Sequence, residues 1–522
     1  MSVFLGVDVG TGSARAGLFD AAGDLKGAAS EGFATWREGD RAEQSSADIW
    51  RAVCTAVRGA CAEAGTADVA GIGFDAACSM AVLDAEDAPV PVGDDPARDV
   101  IVWMDQRATD QAARINATGH PVLRYVGGRI SPEMQTPKLL WLKENRPETY
   151  GRAARFLDLA DFLTFRATGD DTRSTCTVTC KWTFLAHEGR WDPSYFETVG
   201  LGDLAADGFA RIGGRVAVPG TPLGRGLSRK SADELGLAPG TPVGAGLIDA
   251  HAGGLGTVGA PGGTPLDRMA YVYGTSACTM SSAAGPVEVP GVWGPYFDAM
   301  VPGLWLLEGG QSAAGAAIDR LLALHPARSQ GLERAGGTPL PVWLEDEARR
   351  RAPDPAATLR LARGLTVVPD FLGNRAPLAD PAARAVIAGL GMDDGLDGLL
   401  AFYVAGLIGV GYGLRQIVEA QAEAGLPVRE AVISGGAGAG PLVRQVTADA
   451  ANLPILVPST PEPVLLGAAM LGARAAGRFA ALKEAMAEMS GPGSRVSPDP
   501  SVQTVHVAGY RRFRALQAAA RS

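Results

Sequence analysis

One local pattern occurs twice in this sequence and constrains everything else: an apolar strand, a glycine–threonine–serine turn, and a second strand. Near the start, VFLGVDVG runs into Gly10-Thr11-Gly12-Ser13, after which ARAGLFDAAGDL alternates again as far as a turn at Ala22–Gly23. The second copy, MAYVYGTSACTMSS, spans 269–282 around Gly274-Thr275-Ser276. Each reads as a hairpin. P-loop and Rossmann glycine loops pass instead from strand to helix, and neither GxxxxGK[ST] nor GxGxxG occurs in this chain. The similar placement of the two copies points to a duplicated unit. A length of 522 residues also exceeds what one core holds, roughly 250–300 residues, so two α/β domains are expected, over 1–253 and 254–522.

Further elements follow from spacing. Ser45 and Ser46 start a helix that carries Ile49, Val53 and Val57 at four-residue intervals and ends at Gly65. VAGIGFDA and CSMAVLDA read as strands, and VAVPGTPLGRG as a loop. The run AFYVAGLIGVGYGL at 401–414 is too short to span a bilayer and reads as a buried helix. Residues 330–360, rich in Pro, Ala and Arg, read as a peripheral insertion.

Apolar residues at 47% and charged residues at 20% give enough material for folded cores, and a net charge of −10 argues against nucleic acid or anionic lipid as a partner. MSVFLGVDVG lacks a basic n-region, so a cytoplasmic protein is expected. Six cysteines without a CxxC pair read as free thiols, although Cys176 and Cys180 share a helical spacing. The five histidines are scattered and form no HExxH or triad pattern, so none is assigned a role.

Four places could carry chemistry. In the first turn, Thr11, Gly12 and Ser13 offer backbone and hydroxyl donors to a phosphate, Arg15 adds charge, and Asp8 at the strand end could hold Mg²⁺ through water. The plain alternative is a hairpin with a polar strand-end aspartate. Gly274, Thr275 and Ser276 repeat the donors without the acid, again with a plain hairpin as alternative. In AVISGGAGAGPLVRQVTADAANLPI a strand ends at Ser434, and a helix runs from Pro441 to Asn452. Gly435 and Gly436 between them could let a flat ring lie on backbone, or could be an ordinary strand–helix turn. Asp249 is delivered by the strand Val243–Ile248 to a glycine-rich AHAGGLG segment, a poor intrinsic helix expected to pack tightly in an interdomain seam. Asp249 can be a helix cap, or a carboxylate that accepts a proton from a substrate hydroxyl. Lys181, in TCTVTCKWTF, reads by default as a solvated strand lysine. Glu308 reads as the acid ending the strand LWLLE, with Ser312 as a helix cap beyond it.

Taken together, GVDVGTGSARAGLFD, WMDQRA, KLLWLKEN, DLADFLTFRATGD, GLIDAHAGGLG, YGTSACT, EGGQSAAGAAID, FLGNRAPLADPAARAVIAGL and SGGAGAGPLVRQVTADAANLPI resemble the FGGY carbohydrate kinase family, in family order and over nearly the whole chain. Within the family the chain is most similar to ribulokinases of the D-ribulose kinase-like branch. The resemblance implies two actin-like ATPase (ribonuclease H-like) domains flanking a cleft, with ATP between the two turns and adenosine against Gly435–Gly436. It implies Asp249 as catalytic base, Ala77, Lys181, Asp249 and Glu308 at the sugar, and Asp8 with Asp249 facing Mg²⁺. The reaction it implies is transfer of the ATP γ-phosphoryl group to a ketopentose, with D-ribulose first and L-ribulose, D-xylulose or ribitol as alternatives. FDAACS stands where L-ribulokinases carry a DFTAC-like stretch, which displaces Asp75 by one residue and bears on sugar stereochemistry. A homodimer is left open. An actin-like ATPase with a binding or assembly role would share the turns but need no sugar site.

Overall fold

Both Gly-Thr-Ser turns close hairpins. In the computed structural model, which describes residues 2–521, the strand Val3–Val9 pairs antiparallel with Ser13–Asp20, and Arg268–Tyr273 with Ala277–Ala283. Met1 and Ser522, the outer limits of the two expected domains, lie outside the described residues. A backbone bond closes each turn, from Gly10 N–H to the Ser13 carbonyl at 3.1 Å and from Gly274 N–H to the Ser276 carbonyl at 2.9 Å.

Each hairpin sits in the middle of a mixed sheet. The first sheet has five strands in the order 243–248, 69–76, 3–9, 13–20, 25–32. The second has seven, in the order 293–297, 305–311, 277–283, 268–273, 430–434, 455–457, 494–496. In both, the first hairpin strand pairs antiparallel with its hairpin partner on one side and parallel with a later strand on the other. A further parallel strand lies beyond that one. The two sheets thus repeat one topology, as the repeated turn motif leads one to expect.

The two halves exchange helices at their seam. The helix Pro463–Ala475, late in the chain, packs on the strands Val3–Val9 and Val69–Ala76 of the first sheet. The helix Asp249–Val258 packs against Pro463–Ala475 and against the strand Arg268–Tyr273 of the second sheet. Glycines make this approach possible: a Cβ on Gly73 would lie 1.9 Å from the Ala468 carbonyl oxygen, and one on Gly256 2.0 Å from that of Pro463. So the glycine-rich AHAGGLG segment is a helix because it is buried against another helix, which overrides its weak propensity. The division expected at 253/254 falls inside this helix.

Three local expectations need correction. Residues 330–360 form helices within Arg328–Ala335, Leu340–Arg351 and Pro355–Leu361, and all three pack on the long helix Leu396–Glu423. Leu340, Leu344 and Ala348 are buried in the second core, so the segment is part of that core and not a peripheral insertion. Lys181 lies on a helix, Thr175–Trp182, started by the Ser174 hydroxyl, which accepts from the Cys176 N–H at 3.2 Å. Burial of every residue of that helix overrides the strand preference of its β-branched side chains. Glu308 lies inside the strand Trp305–Gln311, whose Gly309 and Gly310 continue the pairing with Thr279 and Cys278. Ser312 caps nothing, because the next helix starts at Gly315 with Ala314 before it. The helix Leu396–Glu423 is long and apolar enough to cross a membrane, yet 78% of its apolar window is buried within the protein.

Candidate active site

Strand register alone assembles the first cluster. Asp8 is opposite Arg15 on one side and Asp75 on the other, and Asp75 is opposite Leu247, two residues before Asp249. Arg15 donates from Nε to Asp8 Oδ2 at 2.7 Å and from Nη1 to Glu462 Oε2 at 2.9 Å. Its guanidinium is therefore engaged by two carboxylates, one from the late half of the chain, and Asp8 is held in place by it. Asp75 is fully buried, and neither of its carboxyl oxygens has a hydrogen-bond partner. Burial first, and then the charge of Asp8, holds its pKa well above the usual carboxylate range. Asp249, at the first turn of its helix, accepts from the Ala250 N–H at 2.7 Å. Burial, reinforced by Asp8, raises its carboxyl to about 6.

The first turn is braced from outside the hairpin. The Thr11 carbonyl accepts from Thr35 Oγ1 at 2.9 Å and Gln44 Nε2 at 2.7 Å, and its hydroxyl accepts from the Trp103 indole N–H at 3.0 Å.

A cavity of about 370 Å³ opens beside this cluster. Asp8, Thr11, Ser13 and Arg15 line it from the first turn, and Ser276 from the second. Ala77, Lys181, Asp249 and Glu308 line it as well. Both turns and the four residues expected at a sugar thus meet at one cavity. Gly12 is at the exposed tip of its turn and is not part of the lining. Gly274 and Thr275 are turned the other way, their carbonyls accepting from the N–H groups of Gly315 and Ala314 at 3.0 Å each. Gly435 and Gly436 are exposed outside the cavity but adjoin the same turn: a Cβ on Gly435 would lie 2.5 Å from the Tyr273 carbonyl oxygen. Gly315 belongs to this group too, since its Cβ would meet Gly274 O at 2.7 Å and Ala437 Cβ at 3.4 Å.

Lys181 and Glu308, each 7% exposed, carry opposite charges at the cavity. Burial alone would raise the Glu308 carboxyl, but Lys181 and then His251 pull it down to about 2. Burial opposes the Lys181 ammonium, yet Cys78 and Glu308 hold its pKa well above the usual range. Lys181 Nζ lies over the Trp293 ring, and Glu308 Oε2 accepts no hydrogen bond. A buried charge without a hydrogen-bonding partner is costly, and both of these charges line the cavity.

Several residues at the site carry no sequence signal of their own. Trp293 lies under both Lys181 Nζ, at 5.3 Å from the ring centroid, and the Arg375 guanidinium, at 5.4 Å. His251, left unassigned among scattered histidines, is buried with Nδ1 3.1 Å from Cys176 Sγ and Nε2 3.6 Å from Glu308 Oε2. Its place next to Asp249 on a strand–helix junction was the available clue. Arg375 lies in the FLGNRAP stretch already quoted, but without an assigned role, and nothing local distinguishes Trp293.

The profile of the FGGY family of carbohydrate kinases, N-terminal domain, matches residues 3–256, and that of the C-terminal domain matches 269–476. The chain is 44% identical over 513 residues to the human FGGY carbohydrate kinase domain-containing protein, covering 95% of this chain and 92% of that one. It is 36% identical to a D-ribulokinase of Saccharomyces cerevisiae over 91% of this chain and 72% of the yeast protein. Among solved structures, the xylulose kinase from Rhodospirillum rubrum superimposes with a TM-score of 0.81 at 22% identity, covering 99% of this chain and 98% of that one. The architecture is the two-domain actin-like, ribonuclease H-like ATPase fold.

Proposed function

We propose that this chain, which belongs to the FGGY family of carbohydrate kinases and is a sugar kinase, transfers the γ-phosphoryl group of ATP to O5 of a ketopentose, D-ribulose first among them. The observation that carries the reading is the single cavity lined by Asp8, Asp249, Ser13 and Ser276 of the two turns, and the buried Lys181 and Glu308, whose Oε2 has no hydrogen-bonding partner. A polyhydroxylated ligand satisfies acceptor and donor charges at once, because each hydroxyl both donates and accepts. The choice of D-ribulose is supported by the similarity to the yeast D-ribulokinase.

In this reading Asp249 accepts the proton of the attacking hydroxyl, and its raised pKa suits a base working near neutrality. Lys181 and Glu308 orient the sugar, with Ala77 allowing it to approach the wall. Ser13 and Ser276 hold the transferred phosphate from opposite domains, Arg15 keeps Asp8 in place, and the Gly435–Gly436 turn accommodates the adenosine. Phosphoryl transfer leaves little covalent work for protein, so positioning and charge neutralisation supply most of the rate.

Asp8 and Asp249 repel each other, and a divalent cation would relieve that repulsion; all-oxygen donors suit Mg²⁺. No group of three His, Cys, Asp or Glu side chains suited to a metal occurs among the described residues, so the cation would come with the nucleotide, supplying charge neutralisation when bound.

The test is ADP release over a panel of D-ribulose, L-ribulose, D-xylulose, ribitol, hexuloses and glycerol, with and without Mg²⁺. D-ribulose is expected to give the highest kcat/KM, in a Mg²⁺-dependent reaction. ATP hydrolysis indifferent to every sugar would instead favour an actin-like ATPase with a binding role, and preference for a hexulose or glycerol would overturn the pentulose reading.

A further inference from the structure

We propose that Arg375 binds the ketone oxygen of an open-chain ketopentose and thereby separates ketoses from the corresponding polyols, an inference that rests on the pentulose reading of this cavity. Among its charged groups Asp8, Glu133, Asp249 and Glu308, when ionised, only accept hydrogen bonds, whereas Arg15, Lys181 and Arg375 only donate. Hydroxyls satisfy either kind; a ketone oxygen only accepts. Transfer to O5 requires that oxygen to be free, which rules out the ring closed between O5 and C2. The bound sugar is therefore open-chain and presents a C2 carbonyl that needs a hydrogen-bond donor.

Arg375, like Lys181, is a cavity donor that the protein leaves incomplete. Arg375 is half-buried at the cavity wall, whereas the fully buried arginines have carboxylate partners: Arg107 pairs with Glu43 and Asp105, Arg173 with Asp171, and Arg268 with Glu430. Arg375 forms no ion pair among the described residues. Its one hydrogen bond is a long contact from Nη1 to Cys278 Sγ, at 3.7 Å, and its guanidinium otherwise lies over the Trp293 ring. A five-donor fork with one weak partner, at the wall of a cavity, retains N–H groups for a ligand.

Its location suits the carbonyl end of the substrate. Arg375 touches Cys278 and shares the Trp293 ring with Lys181, and among the described residues no hydrogen bond or ion pair joins it to Asp249. C2 is three carbons from C5, so the group that binds its oxygen must stand away from the base. The backbone around Arg375 is also fixed. Asn374 pairs with Asp380 through both backbone bonds at 2.8 Å, and its side chain donates to Asp370 at 3.2 Å. Asp370 is held in turn by Gln517 Nε2 of the last helix at 2.9 Å. A donor fixed this way loses little entropy on binding.

The experiment compares wild type with Arg375→Met, which removes the donors at similar length, and Arg375→Lys, which keeps the charge but not the fork. D-ribulose is measured as substrate, ribitol as substrate or competitive inhibitor, and KM for ATP in parallel. Removing a hydrogen bond from a charged group should lower kcat/KM for D-ribulose by ~10–100-fold in Arg375→Met. Ribitol affinity should change less than about 3-fold on the same reasoning, since it loses no carbonyl contact. Arg375→Lys should fall between, with KM for ATP unchanged in both. Equal losses for ketose and polyol in a folded variant, or no loss for D-ribulose, overturn the assignment of Arg375 while leaving the pentulose reading in place. Should Arg375→Met not fold, the same comparison is made on Arg375→Lys and decides in the same way. A wild-type enzyme that turns over no ketopentose overturns the pentulose reading and this inference with it.

Discussion

The sulfur of Cys176 lies 3.1 Å from Nδ1 of His251, in a buried pocket where the other ring nitrogen faces Glu308 Oε2 at 3.6 Å. Burial opposes the thiolate, but a hydrogen bond from Cys180 and the imidazolium charge lower the Cys176 thiol to about 5. Burial likewise opposes the imidazolium, yet Cys176 and then Glu308 raise His251 to about 10. Both shifts favour the thiolate–imidazolium form of this pair, which lies beside Glu308.

This pairing sets a pH signature. A lowered thiol pKa contributes stability that is present above the ordinary thiol range and is lost as pH falls through about 5. A raised imidazole pKa contributes stability present below the ordinary histidine range and lost as pH rises through about 10. Between ~6.5 and ~8.5 native and unfolded chains carry the same number of protons at these two sites, so this contribution should be flat there and fall on either side. Cys176→Ala removes the counter-charge and should cost about 3 kcal/mol. It should also bring the alkaline loss to lower pH. Thermal unfolding of both proteins across pH 5–10 checks the prediction, which fails if the two curves differ only by a constant.

Asp249→Asn keeps the shape of the side chain and removes its basicity. We expect kcat to fall by ~10²–10⁴ while nucleotide binding, followed by calorimetry, stays close to wild type. Turnover within a few-fold of wild type would take Asp249 out of the proton transfer.

Lys181→Met removes the charge that most lowers the Glu308 pKa. KM for the sugar should rise by ~10-fold or more, as for loss of a charged hydrogen bond, with KM for ATP unchanged. A parallel rise in both constants would indicate a general loss of structure instead.

The two glycines proposed for adenosine separate packing from binding. Gly435 has φ +89° and its Cβ would collide with the Tyr273 carbonyl, so Gly435→Ala should destabilise the fold by ~1–3 kcal/mol. Gly436 has no atom within 4 Å of its Cβ position. Gly436→Leu should leave Tm near wild type and raise KM for ATP alone. An unchanged KM would move the adenosine away from this turn.

What was legible in the sequence was local. The hairpins at 10–13 and 274–276 and the strand–helix passage at Asp249 are set by short-range alternation and by glycine, and they emerged where expected. Lys181 was misread because its helix draws stability from burial rather than from propensity. Asp75 and Glu462 act through partners fixed by sheet register and by the exchanged seam: Arg15 reaches Glu462 across 447 positions, and no local pattern encodes that distance. Arg375 stood in a quoted stretch, FLGNRAP, but its place at the cavity wall beside Trp293 depends on tertiary packing.

The most direct test of the central claim is ³¹P NMR of the product formed from ATP, Mg²⁺ and D-ribulose. The account predicts a new phosphomonoester signal coupled to the two protons on C5, with ADP formed in equal amount and both products lost in Asp249→Asn. Inorganic phosphate as the sole product, formed at the same rate with and without the sugar, would contradict it.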